Sequence, residues 1–152
     1  MNKGKIVQVG TPPEIYSNPI NTFCASFVGE SNLFKTSVVE MEAVITTVEI
    51  GNERISTRSQ PNFEFGQACS VLIRPEVLSV YQVDQAGRNE NELHGEIHDT
   101  IFLGSSVFYH IEVGAPSLLL VEEHVKEGQH IFQREERVIV GWSANDTLLL
   151  KD

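Results

Sequence analysis

Apolar and polar residues alternate along most of this chain, and such alternation is typical of half-buried β-strands. In the clearest run, Val107, Tyr109, Ile111 and Val113 occupy every second position and so share one face. Strand-like runs with turn residues between them lie at 37–45, 46–50, 54–57, 68–73, 77–81, 95–104, 106–113, 118–121, 137–142 and 148–150. Short strands at intervals of about 8–12 residues predict a mainly β protein, a small barrel or sandwich.

The opening of the chain has a different pattern. Residues 6–9 are rich in β-branched side chains and precede Gly10, which predicts a short strand and a turn. Thr11-Pro12-Pro13-Glu14 predicts a helix start, with Thr11 as N-cap and Glu14 at the capping-box position. Asn18-Pro19 ends that helix, because the residue before a proline avoids the α region. Asn21 then caps a second short helix.

The β-rich part contains a weak internal repeat. Residues 71–80 and 138–149 each read as an apolar strand, a polar turn and a second short apolar strand. The period of about 65 residues is too long for a solenoid. The repeat therefore predicts two related β-lobes.

Composition agrees with a globular protein of one domain or two small lobes. The chain has 152 residues, of which 41% are hydrophobic and 21% charged. Its apolar runs are shorter than the roughly 20 residues that span a bilayer. The opening residues do not resemble a secretory signal. We therefore expect a cytoplasmic protein without direct membrane insertion.

Charge is distributed unevenly between the two parts. Residues 1–29 carry Lys3 and Lys5 against Glu14, whereas the balance of residues 30–152 is −11. This acidity argues against nucleic acid and against anionic lipid as partners, because both require basic patches. Cys24 and Cys69 belong to no metal-type or redox-type spacing, and we expect both to be small buried core residues.

Motifs for catalysis and metal binding are missing from the sequence. Gly4-Lys5 lacks an upstream glycine-rich loop, so it is not a phosphate-binding loop, and no LSGGQ-type signature occurs. The five histidines form no HExxH or Cys/His pattern, and no G-x-S-x-G elbow occurs. The sequence therefore predicts no enzyme, no catalytic residue, no metal and no cofactor.

Arg74, Glu76 and Trp142 are the most notable single side chains. Arg74 follows an apolar run and precedes a proline, a position where its guanidinium can pin a loop by a bidentate bond to a carboxylate, such as Glu76 or one in another segment. Direct ligand binding by Arg74 is the alternative. Trp142 lies in a run of valines, which favours a core or interface position over a stacking platform.

Several sequence words resemble a known family. The opening words G-K-I-V-Q-V-G-T-P, E-I-Y-x-N-P and F-x-A-x-F-V-G-E-x-N resemble the end of the ATPase domain in ATP-binding subunits of bacterial ABC importers. The word I-R-P-E at 73–76, the segment 95–104 with Asp99, and the closing W-x-x-x-D with Asp146 resemble the TOBE region that follows that domain. The resemblance extends over essentially the whole chain.

The resemblance implies a division of the chain and a function. Residues 1–29 would be the last piece of an ATPase domain, and residues 30–152 an OB-fold-like TOBE domain with a regulatory, dimer-contacting role. The implied partners are a second copy, an ABC ATPase domain, membrane permease subunits through it, and a small solute, polyamine-like or ferric iron, on the cytoplasmic side of the inner membrane. Arg74, Glu76, Asp99, Trp142 and Asp146 are the candidate structural or regulatory residues.

A free-standing module for an oxyanion such as molybdate is the alternative function, although the balance of −11 argues against it. If the opening is the cut edge of an ATPase domain, its apolar residues have lost their former partner. We then expect Ile6, Val9, Phe23 and Phe27 to pack on the β-domain or on a second copy.

Overall fold

The computed structural model describes residues 1–151, which form two short helices and ten strands. The helices are α1 (Pro12–Ser17) and α2 (Thr22–Phe27). The strands are β1 (Asn32–Met41), β2 (Ile45–Ile50), β3 (Glu53–Arg58), β4 (Ala68–Ile73), β5 (Ser79–Gln82), β6 (Asn91–Phe102), β7 (Ser106–Glu112), β8 (Leu119–His124), β9 (Arg137–Trp142) and β10 (Thr147–Leu150). The described part of the chain has no helix with the length and apolar character that crossing a bilayer requires.

The strands form two five-stranded antiparallel sheets with the same topology. One sheet has the order β10-β4-β1-β2-β3 and the other β5-β9-β6-β7-β8. The first four strands of each series therefore form the body of one sheet, and the fifth strand crosses to the sheet of the other series. This arrangement confirms the mainly β, OB-like fold with two related lobes, and it shows that the lobes exchange their last strands.

Details of the two lobes match as well. The long first strand of each lobe is bulged, between Val38 and Glu40 in β1 and between Ile97 and Asp99 in β6. Strands β4 and β9 both have one exposed residue followed by five buried ones. By this burial pattern, Val71 in β4 is equivalent to Val140 in β9. The sequence repeat instead matches Val71 with Val138, a shift of two residues that keeps the same face.

Buried apolar side chains from both sheets form one main core. It includes Ile55 and Val71 of the first lobe, and Tyr109 and Trp142 of the second. Cys24 and Cys69 are both buried, as expected. Because each sheet contains a strand from the other lobe, the two lobes cannot separate without breaking strand pairs.

Two buried asparagines also join the lobes. Asn32, at the start of β1, donates to the Leu120 carbonyl at 2.8 Å and accepts from the Leu120 N–H at 2.7 Å. Asn91, at the start of β6, makes the same pair of bonds with Ser56 in β3, both at 2.8 Å. Each amide thus satisfies the free backbone groups of an edge strand in the other sheet.

The two predicted helices are present with their caps. The Glu14 carboxylate accepts bonds from the backbone N–H and the hydroxyl of Thr11, both at 2.8 Å. The Asn21 side chain accepts from the Cys24 N–H at 3.0 Å. Helix α2 buries Cys24 and Ala25, and Ala25 packs with Leu72 and Leu150 on the outer face of the first sheet.

The predicted strand at residues 6–9 is wrong. Residues 1–11 contain only an isolated bridge between Asn2 and Lys5, since no neighbouring strand offers these residues a pairing edge. The expected packing on the β-domain is also not found. Ile6, Val9 and Phe27 are 69%, 83% and 75% exposed, and the ring of Phe23 stacks on Phe27 at 6.0 Å. Packing on a second copy stays a prediction.

Candidate functional site

Arg74 lies where strand β4 ends and the two helices meet the β-domain. The residue is only 7% exposed. One guanidinium nitrogen, Nη1, donates to the carbonyls of Ala25 at 3.0 Å and Glu30 at 3.2 Å, and Nη2 donates to the carbonyl of Tyr16 at 3.1 Å. The guanidinium carbon lies 4.1 Å from the centre of the Tyr16 ring, which is a cation–π distance.

The bidentate bond predicted between Arg74 and a carboxylate such as Glu76 is not formed, since the acceptors of the guanidinium are backbone carbonyls. The chain turns into a short 3₁₀ turn at Pro75–Val77, and Glu76 faces solvent there. Its carboxylate instead accepts a hydrogen bond from the Tyr16 hydroxyl. Burial and this bond raise the pKa of Tyr16 to about 12. Arg74 therefore binds main-chain carbonyls, including that of Tyr16, and Glu76 binds the hydroxyl of the same tyrosine.

Glu76 also lies at the edge of an acidic cavity of about 430 Å³. Three carboxylates line this cavity against one lysine, a distribution that favours positively charged occupants. The lining residues are Glu76, Leu78, Ser79, Glu122, Glu123, His124, Lys126 and Gln129. The cavity lies between the edge strands β5 and β8 of the second sheet, where that sheet does not close into a barrel.

Glu123 spans the opening between these edge strands. Its carboxylate accepts from the Val80 N–H at 2.9 Å and from the Gln129 side chain at 2.8 Å. Burial raises the pKa of Glu123, and these two bonds oppose the rise. Glu122, the preceding residue, lines the cavity without this closing contact. Of the two, Glu122 is the carboxylate more available to a ligand.

A second cavity of about 250 Å³ adjoins the first through Glu76. It is lined by Tyr16, Arg74 and Asp146, among others. The structure thus brings together three of the five predicted residues: Arg74, Glu76 and Asp146. The side chain of Asp146 is exposed at the short turn Ala144–Asp146.

Trp142 and Asp99 lie elsewhere. Trp142 is buried in the core, and its indole N–H donates to the Thr147 hydroxyl at 2.8 Å, joining β9 to β10. Asp99 is exposed at the bulge of β6, opposite His110 of β7. Neither residue lines the two cavities near Arg74.

Histidines pair with carboxylates on the surface. His94 lies 3.2 Å from Glu53, and His130 lies 3.1 Å from Glu136. Within residues 1–151, no group of three or more His, Cys, Asp or Glu side chains is arranged to hold a metal ion.

Sequence reasoning missed Tyr16, Glu122 and Glu123 as members of this region. Tyr16 lies in the opening word E-I-Y-x-N-P, and Glu122-Glu123 is a visible acidic pair. The sequence carries no signal that these residues are close in space, because Tyr16 and Glu76 are 60 positions apart. Only the folded chain brings them to one corner.

Several known proteins are similar to this chain in sequence. The family model of the TOBE domain matches residues 71–150. The chain is 36% identical over 145 residues to the spermidine/putrescine import ATP-binding protein PotA of Lawsonia intracellularis, an alignment that covers 93% of this chain and 39% of that protein. It is 30% identical over 158 residues to the protein of the same name from Thermotoga maritima, covering 99% and 42%. The chain thus spans about two fifths of the length of these relatives.

A solved structure shares the fold. The cytoplasmic molybdate-binding protein ModG, crystallised with molybdate bound, superimposes with a TM-score of 0.64 over 80% of this chain and 96% of that one. The sequences are 14% identical, so the likeness concerns the fold alone.

Proposed function

Since this chain belongs to the TOBE domain family, we propose that it serves as the accessory, regulatory region of an ABC importer ATP-binding subunit that takes up spermidine, putrescine or a similar polycation. One observation carries the proposal. The chain matches two import ATP-binding proteins along 93% and 99% of its own length. The match therefore includes both the helical opening and the two β-lobes.

ATP hydrolysis in such a subunit belongs to the part that this chain does not span. The chain has neither the glycine-rich phosphate loop nor the signature motif on which that chemistry depends. Residues 1–29 are the closing piece of the ATPase domain in this proposal, and residues 30–152 are the accessory domain.

The exposed apolar side chains of the opening support a contact with the ATPase domain. Ile6, Val9, Ile20 and Phe27 are all more than half exposed, whereas the opposite side of the same segment packs on the first sheet through Ala25. Apolar side chains in such numbers on a short segment mark an interaction surface. Through this contact the β-domain moves together with the ATPase domain. The subunit engages the membrane permease on the cytoplasmic side of the inner membrane.

The acidic cavity supports a polycationic solute. Its three carboxylates, Glu76, Glu122 and Glu123, face a single lysine. Spermidine and putrescine are flexible chains with ammonium groups, which Coulomb attraction draws to such a site. The same charge does not favour molybdate, the oxyanion of the alternative function.

Calorimetric titration of the chain tests the solute. We expect spermidine to bind more tightly than putrescine, and the affinity to fall several-fold in Glu122→Gln and with added salt. Glu42→Gln, in the exposed turn between β1 and β2, is the matched control and should bind as the wild type does. Binding of molybdate in preference to spermidine would reject the polycation and support the oxyanion module.

A chimera tests the accessory role. This chain would replace the corresponding region of the Thermotoga maritima relative, and both ATP hydrolysis and subunit dimerisation would be measured. We expect the chimera to dimerise and hydrolyse ATP as the intact relative does. A chimera that folds but behaves like the relative without this region would contradict the accessory role.

A further inference from the structure

The contact between the helices and the β-domain depends on few buried apolar side chains. Helix α1 buries none of its residues, and helix α2 buries only Cys24 and Ala25. The small cluster of Ala25, Leu72 and Leu150 is separate from the main core. A contact of this size leaves the helices free to open locally unless polar interactions hold them.

Arg74 supplies these interactions through carbonyls that helices leave unpaired. Tyr16 lies in the last turn of α1 and Ala25 in the last turn of α2, where carbonyls have no partner within the helix. Glu30, the third acceptor, begins the connection into β1. One planar guanidinium therefore binds the ends of both helices and the entry to the β-domain together, and the fixed fork of arginine suits this geometry.

Tyr16 is held from three directions at the same place. The Arg74 guanidinium lies over its ring, and the Glu76 carboxylate accepts from its hydroxyl. Gly29 lies against the edge of the ring, where an added Cβ would be 3.3 Å from Cε2 of Tyr16. Glycine at this position thus permits the close approach of the ring.

We propose that Arg74, Tyr16 and Glu76 form a joint that locks helices α1 and α2 to the β-domain as one rigid body. The joint adds to the proposed function, and its consequence for transport rests on that function. If the outer face of the helices contacts an ATPase domain, motion of that domain is transmitted to the β-lobes through Arg74. Glu76 belongs both to this joint and to the acidic cavity, so it connects the cavity with the helices.

The two cysteines allow a direct test. Cys24 is a buried residue of helix α2, and Cys69 is a buried residue of strand β4. Labelling both thiols with N-ethylmaleimide, with peptide-resolved mass spectrometry, measures local opening of the helices at Cys24 and opening of the sheet at Cys69. In the wild type, a Cys24 rate above the Cys69 rate identifies an opening that is local to the helices, and a variant that accelerates Cys24 shows that this opening breaks the contact it has lost.

In Arg74→Lys, which keeps the charge but loses the fork, we expect Cys24 to react at least about tenfold faster. The Cys69 rate should rise by no more than the same factor, because global unfolding also breaks the joint. Tyr16→Phe, which removes only the hydroxyl bonded to Glu76, should give a smaller acceleration. Arg58→Lys is the control, because Arg58 is exposed on β3 and bonds only to Asn145 among described side chains.

The joint is refuted if Cys24 reacts at the wild-type rate in Arg74→Lys, or if Cys69 accelerates by a larger factor than Cys24 does. Should Arg74→Lys fail to fold, Tyr16→Phe decides the question by the same criterion. These measurements need no ATPase partner, so failure of the joint and failure of the proposed transport role are seen separately.

Discussion

The paired asparagines that join the lobes lead to a quantitative prediction. In Asn91→Ala, the Ser56 N–H and carbonyl on edge strand β3 both lose their partner, the two bonds of 2.8 Å. Each hydrogen bond contributes about 1 kcal/mol to stability, and stranding a buried backbone group adds to this loss. Ser56 is half-buried, so water reaches part of it, and we expect a total loss of about 2–3 kcal/mol.

Thermal unfolding followed by circular dichroism measures this loss. A protein of this size loses about 2–4 °C of Tm for each kcal/mol, so Asn91→Ala should melt about 4–12 °C below the wild type. Asn32→Ala removes the equivalent pair of bonds to Leu120, at 2.8 and 2.7 Å, and should show a similar shift. Asn62→Ala, at an exposed loop position before β4, is the control and should change Tm by less than about 1 °C.

The reasoning would be refuted in either of two ways. If Asn91→Ala melts within about 1 °C of the wild type, the inter-lobe amide bonds do not stabilise the fold as proposed. If Asn32→Ala and Asn91→Ala differ as much from each other as either does from the wild type, the two lobes are not energetically equivalent at this contact.

Three further predictions concern single side chains. Burial raises the pKa of Glu123, so the native state binds a proton there more tightly than the unfolded chain does. The stability of the wild type relative to Glu123→Gln should therefore fall as pH rises from about 4 toward neutrality, and equal pH profiles would contradict this. Backbone N–H groups of residues 87–89, foremost that of Gly87, lower the pKa of Glu92. The contribution of the Glu92 carboxylate to stability is therefore present above its unfolded-state pKa and lost as pH falls through its folded-state pKa. Glu92→Gln should lower Tm at pH 7 and match the wild type in acid, whereas a difference in Tm that is constant with pH would contradict this cause. Trp142→Phe removes the bond to the Thr147 hydroxyl and some core volume, so chemical denaturation should show a loss of about 2 kcal/mol, and an unchanged midpoint would contradict it.

Much of the fold follows from the sequence because its causes are local. Alternation of apolar residues shows which faces of the strands are buried, and the capping words at Thr11 and Asn21 show where both helices begin. The repeat of strand, turn and strand indicates two lobes. The strand expected at residues 6–9 does not form, because a strand needs a neighbouring strand to pair with and the local sequence does not supply one.

The candidate site is less accessible to sequence reasoning. Arg74 stands out in the sequence because a charged residue follows an apolar run there, but its hydrogen-bond acceptors are carbonyls of residues 49, 44 and 58 positions away. Every residue has a backbone carbonyl, so no sequence motif identifies these acceptors. Glu123 gives no sign in the sequence that it is half-buried between two strand edges.

The sequence by itself therefore determines the mainly β class, the two lobes, the two short helices and the acidic character of this protein. Only the tertiary structure decides that the lobes exchange their fifth strands, that Asn32 reaches Leu120 across 88 positions, and that Arg74 joins both helices to the β-domain. The physical reason is the range of the forces. Periodicity and capping act within a few residues, whereas edge closure and the satisfaction of buried polar groups depend on segments that meet only in the folded chain.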